Sequence, residues 1–378
     1  MEHQRLGTPN RRSGHYPRFS EAEFERRRAA VRELMAEHDL DALLVYGDGG
    51  LHGSKMAYLT NYAPPFPTYL AFFADPAEDS TIFAGISNHV QYVAEVAEVD
   101  DLQLMLPDPP APACARLDEA GVSGDRVGLV VDDPRYNLSV PAPHMRTFEA
   151  ELGAAPVDVT AAYTRLVSVL GEEELDLIYR AGDVLDRAME GLEAAIEPGV
   201  TEQDLAAAME AAAGEAGGNL ALAFGSSAPM EGAEPGEPLP WKAPSARTIG
   251  HGDVVTTEIS AGVRGYDTQI HRPYAVGEAP TEVYEDLFSV AEEAYDGILD
   301  ALQPGNTAAD VHAATAPIAE SEYKIYDVLC HGYGAGYRHP FIGVEESNYW
   351  PGAEDPLTAE WTFEPGMVVV VQPNVATP

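Results

Sequence analysis

The stretch from Gly252 to Pro273, G-D-V-V-T-T-E-I-S-A-G-V-R-G-Y-D-T-Q-I-H-R-P, constrains the fold more than any other part of the chain. A β-branched run, a turn at Gly262 to Gly265 and a second alternating run predict a β-hairpin. Strands paired around that turn set Glu258 opposite Gln269, Thr256 opposite His271 and Ser260 opposite Asp267. Partners across a hairpin share a face, so one face gathers Glu258, Gln269, Asp267 and His271. Polar groups that dense in a β-branched hairpin point to a site. The plainer alternative is a solvated sheet face.

Charge sets the second constraint. The 378 residues carry 62 Asp+Glu against 22 Lys+Arg, a formal net charge of −40, and the lysines are Lys55, Lys242 and Lys324 alone. The acid is spread along the chain, which argues against a disordered acidic tail. Self-repulsion of that size destabilises a compact state unless salt screens it, so a salt-loaded cytoplasm is the expected setting. Such a surface excludes nucleic acid and anionic membrane as partners. Apolar content is an ordinary 45%, and the length allows two domains with separate cores. The N-terminus shows no secretory pattern, and no apolar run is long enough to span a membrane. Cys114 and Cys330 fall in different predicted domains, so no disulfide framework follows. Cys330 adjoins His331, yet one thiol beside one histidine in sequence reads more readily as a small buried filler than as a nucleophile.

The chain is predicted to open with a disordered lead over 1–16 and an α/β layer domain over 17–156. That domain starts with a capped helix from Phe19 to Glu37. Strands are expected at Ala42–Tyr46, Tyr69–Phe73, Thr81–Ala84 and Val127–Val131, with a Pro-rich connector at Pro107–Pro112. A second domain over 157–378 is predicted to place helices at Glu172–Ala195, Thr201–Ala216, Glu282–Leu302 and Ala308–Glu322. Its strands lie around 219–226, 252–276 and 366–372. Between them Met230–Pro244, rich in Pro, Gly and Glu, reads as a mobile surface loop that enters the site.

The hairpin frame resembles that of the pita-bread hydrolases, the Xaa-Pro aminopeptidases, prolidases, methionine aminopeptidases and metal-free creatinases. Glu258, Gly265, Tyr266, Gln269, Ile270 and Arg272 fall on the offsets of that family's D-x-G-x4-G-Y-x-S-D-x-T-R, with both aspartates replaced. L-C-H-G-Y-G at Leu329–Gly334 is similar to G-H-G-I-G and puts His331 at a metal-ligand histidine. F-E-P-G-M-V-V-V-V-Q-P at Phe363–Pro373 resembles E-P-G-M-V-x-x-I-E-P, with Gln372 at a ligand glutamate. The stretch from Thr164 to Ala181 and Y-L-T-N-Y at Tyr58–Tyr62 match two further blocks. The resemblance implies an α/β fold class: a creatinase-type N-terminal α/β domain followed by a pita-bread α+β C-terminal domain. In the family another hairpin with a last glutamate ligand follows the position of Gln372, so the expectation is either that this sequence is a fragment or that the pita-bread domain lacks its last strands.

On the positions the resemblance assigns to a metal pair, this chain has Glu258, Gln269, His331 and Gln372. One carboxylate stands where a dinuclear site needs several, and neutral amides cancel no charge. The expectation is therefore no tight metal pair, with one weakly held manganese, cobalt or zinc at Glu258 and His331 left open and Asp267 as a further donor. Trp241 occupies the position of the creatinase catalytic histidine, and His271 and Gln372 occupy those of its glutamates. The expected site has Glu258, His271, His331 and His339 as catalytic groups, His271 being the residue type that titrates near neutrality. Trp241, Gln269, Arg272 and Gln372 are expected to line the substrate pocket. The glycines at 332, 334 and 336 are expected to let backbone approach it or tighten a turn. The implied activity is hydrolysis of a C–N bond in a small peptide-like or amidino substrate, by a cytoplasmic homodimer. The alternative is a non-catalytic relative that binds a small ligand or a protein partner through the same pocket.

Overall fold

The computed structural model describes residues 15–47, 55–105, 110–131, 140–234, 237–325, 328–343 and 356–378. They divide into two units, Met1–Val167 and Ser168–Pro378. The division falls after the expected boundary at residue 157, because the short strand there still pairs with the first sheet. Most of the expected disordered lead lies outside the described residues, as do the first residues of the Pro-rich connector. The rest of that connector starts helix Ala111–Glu119, with proline in its first turn where a missing N–H is tolerated.

The first unit is built on six strands: β1 (Ala42–Gly47), β2 (Thr68–Phe73), β3 (Thr81–Ala84), β4 (Asp101–Leu104), β5 (Val127–Val130) and β6 (Val157–Asp158). They run in the order β4-β3-β2-β1-β5-β6, with β1–β2 and β2–β3 antiparallel and the other pairs parallel. β1 is buried along its whole length, as its apolar run A-L-L-V-Y-G requires of a strand covered on both faces. Alternation sorts its residues into two cores. Leu43 and Val45 join Val31, Leu34 and Met35 of helix Glu21–Glu37, whereas Ala42, Leu44 and Tyr46 join Cys114, Leu117 and Phe148. The first helix starts where its sequence signal lies, with the Ser20 side chain accepting from the Glu23 N–H at 3.2 Å.

The second unit holds β7 (Asn219–Pro229), β8 (Asp253–Val263) and β9 (Tyr266–Ala275) as one antiparallel sheet in that order. Helix Glu172–Ala195 packs on one face of it. The Tyr266 hydroxyl donates to Glu174 in the first turn of that helix (2.8 Å), which identifies the covered face. By alternation Ile259, Ala261 and Val263 share that face. The opposite face carries Glu258, Ser260, Asp267, Gln269 and His271.

A second group of strands comprises β10 (Lys324–Ile325), β11 (Cys330–Gly332), β12 (Arg338–Ile342), β13 (Val369–Val371) and β14 (Val375–Ala376). β11 lies between β12 and β13, and β10 pairs with β14. The helix expected over Ala308–Glu322 is two helices, Ala308–Ala313 and Ala316–Glu320. Pro317 opens the second one, and the Thr315 hydroxyl caps back onto His312 O at 2.7 Å.

The hairpin register differs from the expected one. Glu258 faces His271, Ser260 faces Gln269 and Gly262 faces Asp267. The turn is two residues long, Arg264-Gly265, with φ of 59° and 78°, the pattern of a type I′ hairpin turn. The four-residue turn read from the sequence set the pairing two residues off. A slip of two keeps every side chain on its face, so the predicted set of polar neighbours survives the change.

Candidate active site

The polar face of β8–β9 meets β11 and β13 and the loop between β11 and β12. Gln269 donates from Nε2 to Glu258 Oε1 (2.9 Å) and to the Tyr337 hydroxyl (2.5 Å), and that hydroxyl donates to the same Glu258 oxygen (2.7 Å). A carboxylate accepts and never donates, so Gln269 must turn its nitrogen toward Glu258 and its oxygen away. That oxygen lies 3.1 Å from His331 Nε2, as does Gln372 Oε1. Nε2 therefore carries a hydrogen shared between two amide carbonyls. His331 Nδ1 lies 3.1 Å from the Gly332 carbonyl. The His331 ring is fully buried and enclosed by Tyr333, Tyr337 and Phe341, with centroids 5.5, 4.6 and 5.9 Å away.

His271 stands across from Glu258 with Nε2 3.7 Å from Oε1. Neither of its ring nitrogens makes a well-formed hydrogen bond. Its pKa is pushed down to about 3, first by burial and then by neighbouring His331, with Gln372 pulling weakly the other way. It is thus a neutral imidazole at ordinary pH, and its contact with Glu258 is not an ion pair. Asp267, at the turn end of the same face, is also buried, and burial alone pushes its carboxyl up to about 6. The carboxyl rests on Gly262, where any Cβ would collide with it. Its backbone N–H donates to Gly334 O (2.6 Å), a glycine at φ 125°. Ser260, between these rungs, accepts from the Tyr333 hydroxyl at 2.7 Å.

Of the residues expected in the site, Glu258, Gln269, His271, His331 and Gln372 are brought together. Arg272 is not. It follows His271 in the strand, so its side chain alternates to the other face, and it is exposed. His339 packs elsewhere as well: its ring stacks on Trp361 (6.4 Å) and meets Phe341 edge-on (5.1 Å), and Phe341 in turn stacks on His331 (5.9 Å). Trp241 is half-buried in a loop tied along β7, where Gly225 N–H donates to Lys242 O (2.8 Å) and Ser226 Oγ to Leu239 O (2.7 Å). Cys330 is fully buried, and burial pushes its thiol up to about 12, which removes it as a nucleophile. Gly332 is required by packing, since a Cβ there would strike the His339 carbonyl.

Residues 176–378, more than half of the chain, match the sequence profile of Metallopeptidase family M24. The chain belongs to that family. It is 31% identical over 262 residues to the probable dipeptidase PepE of Mycobacterium tuberculosis, a match covering 68% of this chain and 64% of that protein. The matched part thus spans just under two thirds of the relative's length. The Xaa-Pro dipeptidase of Pyrococcus furiosus is 26% identical over 211 residues, 55% of this chain and 56% of that protein. Among solved structures, the prolidase from Pyrococcus horikoshii superposes with a TM-score of 0.71 at 19% identity, covering 92% of this chain and 90% of that one. Dipeptidase PepE from Mycobacterium ulcerans gives 0.71 at 24% identity over 94% and 91%. The expected fold class and family are therefore met.

The M24 name implies a metal, and the donor set here does not fit a metal pair. The matched positions supply one carboxylate, two amides and one histidine, too little negative charge for two dications. Among the described residues no group of three or more His, Cys, Asp or Glu side chains is placed to hold a metal ion. Tyr337, which completes the network in this M24 chain, was not legible as a site residue. It follows three glycines spaced two apart, and only the fold of that loop sends its hydroxyl back to Glu258. Burial, then the Glu258 carboxylate, holds its pKa far above the usual phenol value, so it stays a donor. Among the described residues no helix is long and apolar enough to cross a membrane.

Proposed function

We propose that this M24 chain is a hydrolase acting on a C–N bond of a short peptide-like or amidino substrate without a metal pair. The observation that carries this reading is the pairing of Glu258 with a neutral His271 at 3.7 Å on one face of the hairpin. Glu258, oriented by Tyr337 and Gln269, serves as the carboxylate base. His271, held uncharged, serves as a neutral hydrogen-bonding partner that orients the substrate beside it. His331 orients the two amides. Gln269, His271 and Tyr337 are the less deeply buried members, so substrate approaches from their side. The printed names of the relatives, dipeptidase and Xaa-Pro dipeptidase, support a short peptide as the substrate class.

The test is release of amino acids from dipeptides, Xaa-Pro dipeptides included, and of urea or amine from guanidino acids, at molar KCl with a strong chelator present. Turnover that survives the chelator and falls at least ~100-fold in Glu258→Gln supports the reading. Turnover that appears only with added manganese, cobalt or zinc overturns its metal-free part. A second reading, a non-catalytic binding protein, is favoured by one observation: Glu258, Gln269, His331 and Tyr337 already hydrogen-bond one another. It predicts no turnover under any condition but a raised melting temperature with the same compounds. The homodimer and the cytoplasmic setting belong to this proposal as well; a monomer by light scattering at molar KCl removes the first.

A further inference from the structure

We infer that Tyr337 is a positioning residue that takes the place of a cation between Glu258 and Gln269. This shares with the reading above only the metal-free state of the site, and it holds whether or not substrate is turned over. Three distances carry it. The phenol oxygen lies 2.7 Å from Glu258 Oε1 and 2.5 Å from Gln269 Nε2, and those two atoms are 2.9 Å from each other. The three groups close a triangle of hydrogen bonds: Gln269 Nε2 donates to the carboxylate and phenol oxygens, and the phenol donates to the same carboxylate oxygen.

The two vertices other than Tyr337 are the positions that match the paired aspartates of the family hairpin. A hydrogen-bond donor wedged between them supplies to the carboxylate what a positive charge otherwise would. The consequence is that restoring carboxylates alone leaves the position between them filled. The Tyr337 ring is also held 4.6 Å from that of His331, against the histidine expected to complete any such site.

Tyr333 provides the internal control. It too packs against His331 (5.5 Å), but its hydroxyl goes to Ser260 rather than Glu258. The experiment titrates cobalt(II), read by its visible absorption, into Gln269→Asp/Gln372→Glu and into the same variant carrying Tyr337→Phe or Tyr333→Phe. Tyr337→Phe should tighten cobalt binding at least ~10-fold, which corresponds to about 1.4 kcal/mol. Tyr333→Phe should change it less than ~3-fold. A merely structural role for Tyr337 would move both alike. Equal affinity with and without Tyr337 overturns the inference, as does an equal gain from Tyr333→Phe. If Tyr337→Phe fails to fold, Tyr337→Val is used. The variant that retains both tyrosines gives a further reading: cobalt that enters by displacing the phenol produces a tyrosine difference spectrum, and uptake without one also overturns the inference.

Discussion

Glu258 and His271 sit directly opposite each other on β8 and β9, with His271 Nε2 3.7 Å from Glu258 Oε1, yet the histidine is uncharged. Its folded pKa lies near 3 against an ordinary 6.5. The unfolded chain therefore binds a proton here from about pH 6.5 downward, and the folded chain does not until near pH 3. Stability contributed by this residue is present above 6.5 and lost as pH falls, at up to ~1.4 kcal/mol per pH unit. His271→Phe should flatten the acid limb of a urea-melt series between pH 6 and 4. An unchanged slope would place the histidine in a wetter setting than the one described.

Asp267 works in the opposite sense within an overlapping window. Its folded pKa is near 6 instead of 3.8, so the folded chain holds a proton that the unfolded chain has released. Above pH 6 the ionised, buried carboxylate lowers stability, and the loss is relieved as pH falls toward 4. Asp267→Asn should stabilise the protein by ~2–3 kcal/mol at pH 8, the two-unit shift converted at 1.36 kcal/mol per unit, and by little at pH 4. Denaturant melts of both proteins at the two pH values check the sign. Destabilisation at pH 8 would mean that the carboxylate has a charged or hydrogen-bonding partner.

How far the site could be read from sequence depended on which geometric step each residue required. Glu258, Gln269 and His271 needed only the period-2 rule, and a register two residues off left them together. Arg272 failed on that same rule, because a matched motif position says nothing about which face the side chain takes. His339 lies eight residues after His331, and that separation does not say which side chain will face the histidine. The register shift between His331 and Gly332 sets Phe341, not His339, opposite His331. Tyr337 reaches the site through a glycine-rich loop whose path has no periodicity to read. In the first unit, continuous apolar runs made β1, β2 and β3 legible. β4 (D-L-Q-L) and β6 (V-D) were not, since both are short edge-region strands with polar residues.

Net charge sets the third expectation. With −40 spread over the chain, the folded state is strained by like-charge repulsion unless ions screen it. The Debye length falls from roughly 10 Å at 0.1 M to roughly 3 Å at 1 M salt, so repulsion between exposed carboxylates is largely screened at the higher concentration. Melting temperatures in 0.1 M and 2 M KCl should differ by more than ~10 °C. Equal melting points would show that the acidic surface imposes no need for salt.

Glu202 supports the last expectation. This buried carboxylate receives four hydrogen bonds: from Ser227 N (2.6 Å) and Oγ (2.7 Å) at one oxygen, and from Ser245 N (2.9 Å) and Oγ (2.6 Å) at the other. Burial works to raise its pKa, but the Ser245 and Ser227 hydrogen bonds outweigh it and hold the carboxyl below its usual range. Arg247 extends the network, donating to Ser227 Oγ (2.7 Å) and Asp253 (2.6 Å) at the start of β8. One side chain thus fastens helix Glu202–Glu215, strand β7 and the segment that follows Trp241. Glu202→Ala strands two backbone N–H groups and two hydroxyls and should destabilise by ~3 kcal/mol or more. Glu202→Gln, which keeps one acceptor oxygen, should lose about half as much. Because the folded pKa is lowered, this contribution is present at neutral pH and lost as pH falls through the folded value. The gap between wild type and Glu202→Gln should therefore narrow on acidification. A gap that stays constant down to pH 3 would show that packing at this position, rather than the ionised carboxylate, fastens the three elements.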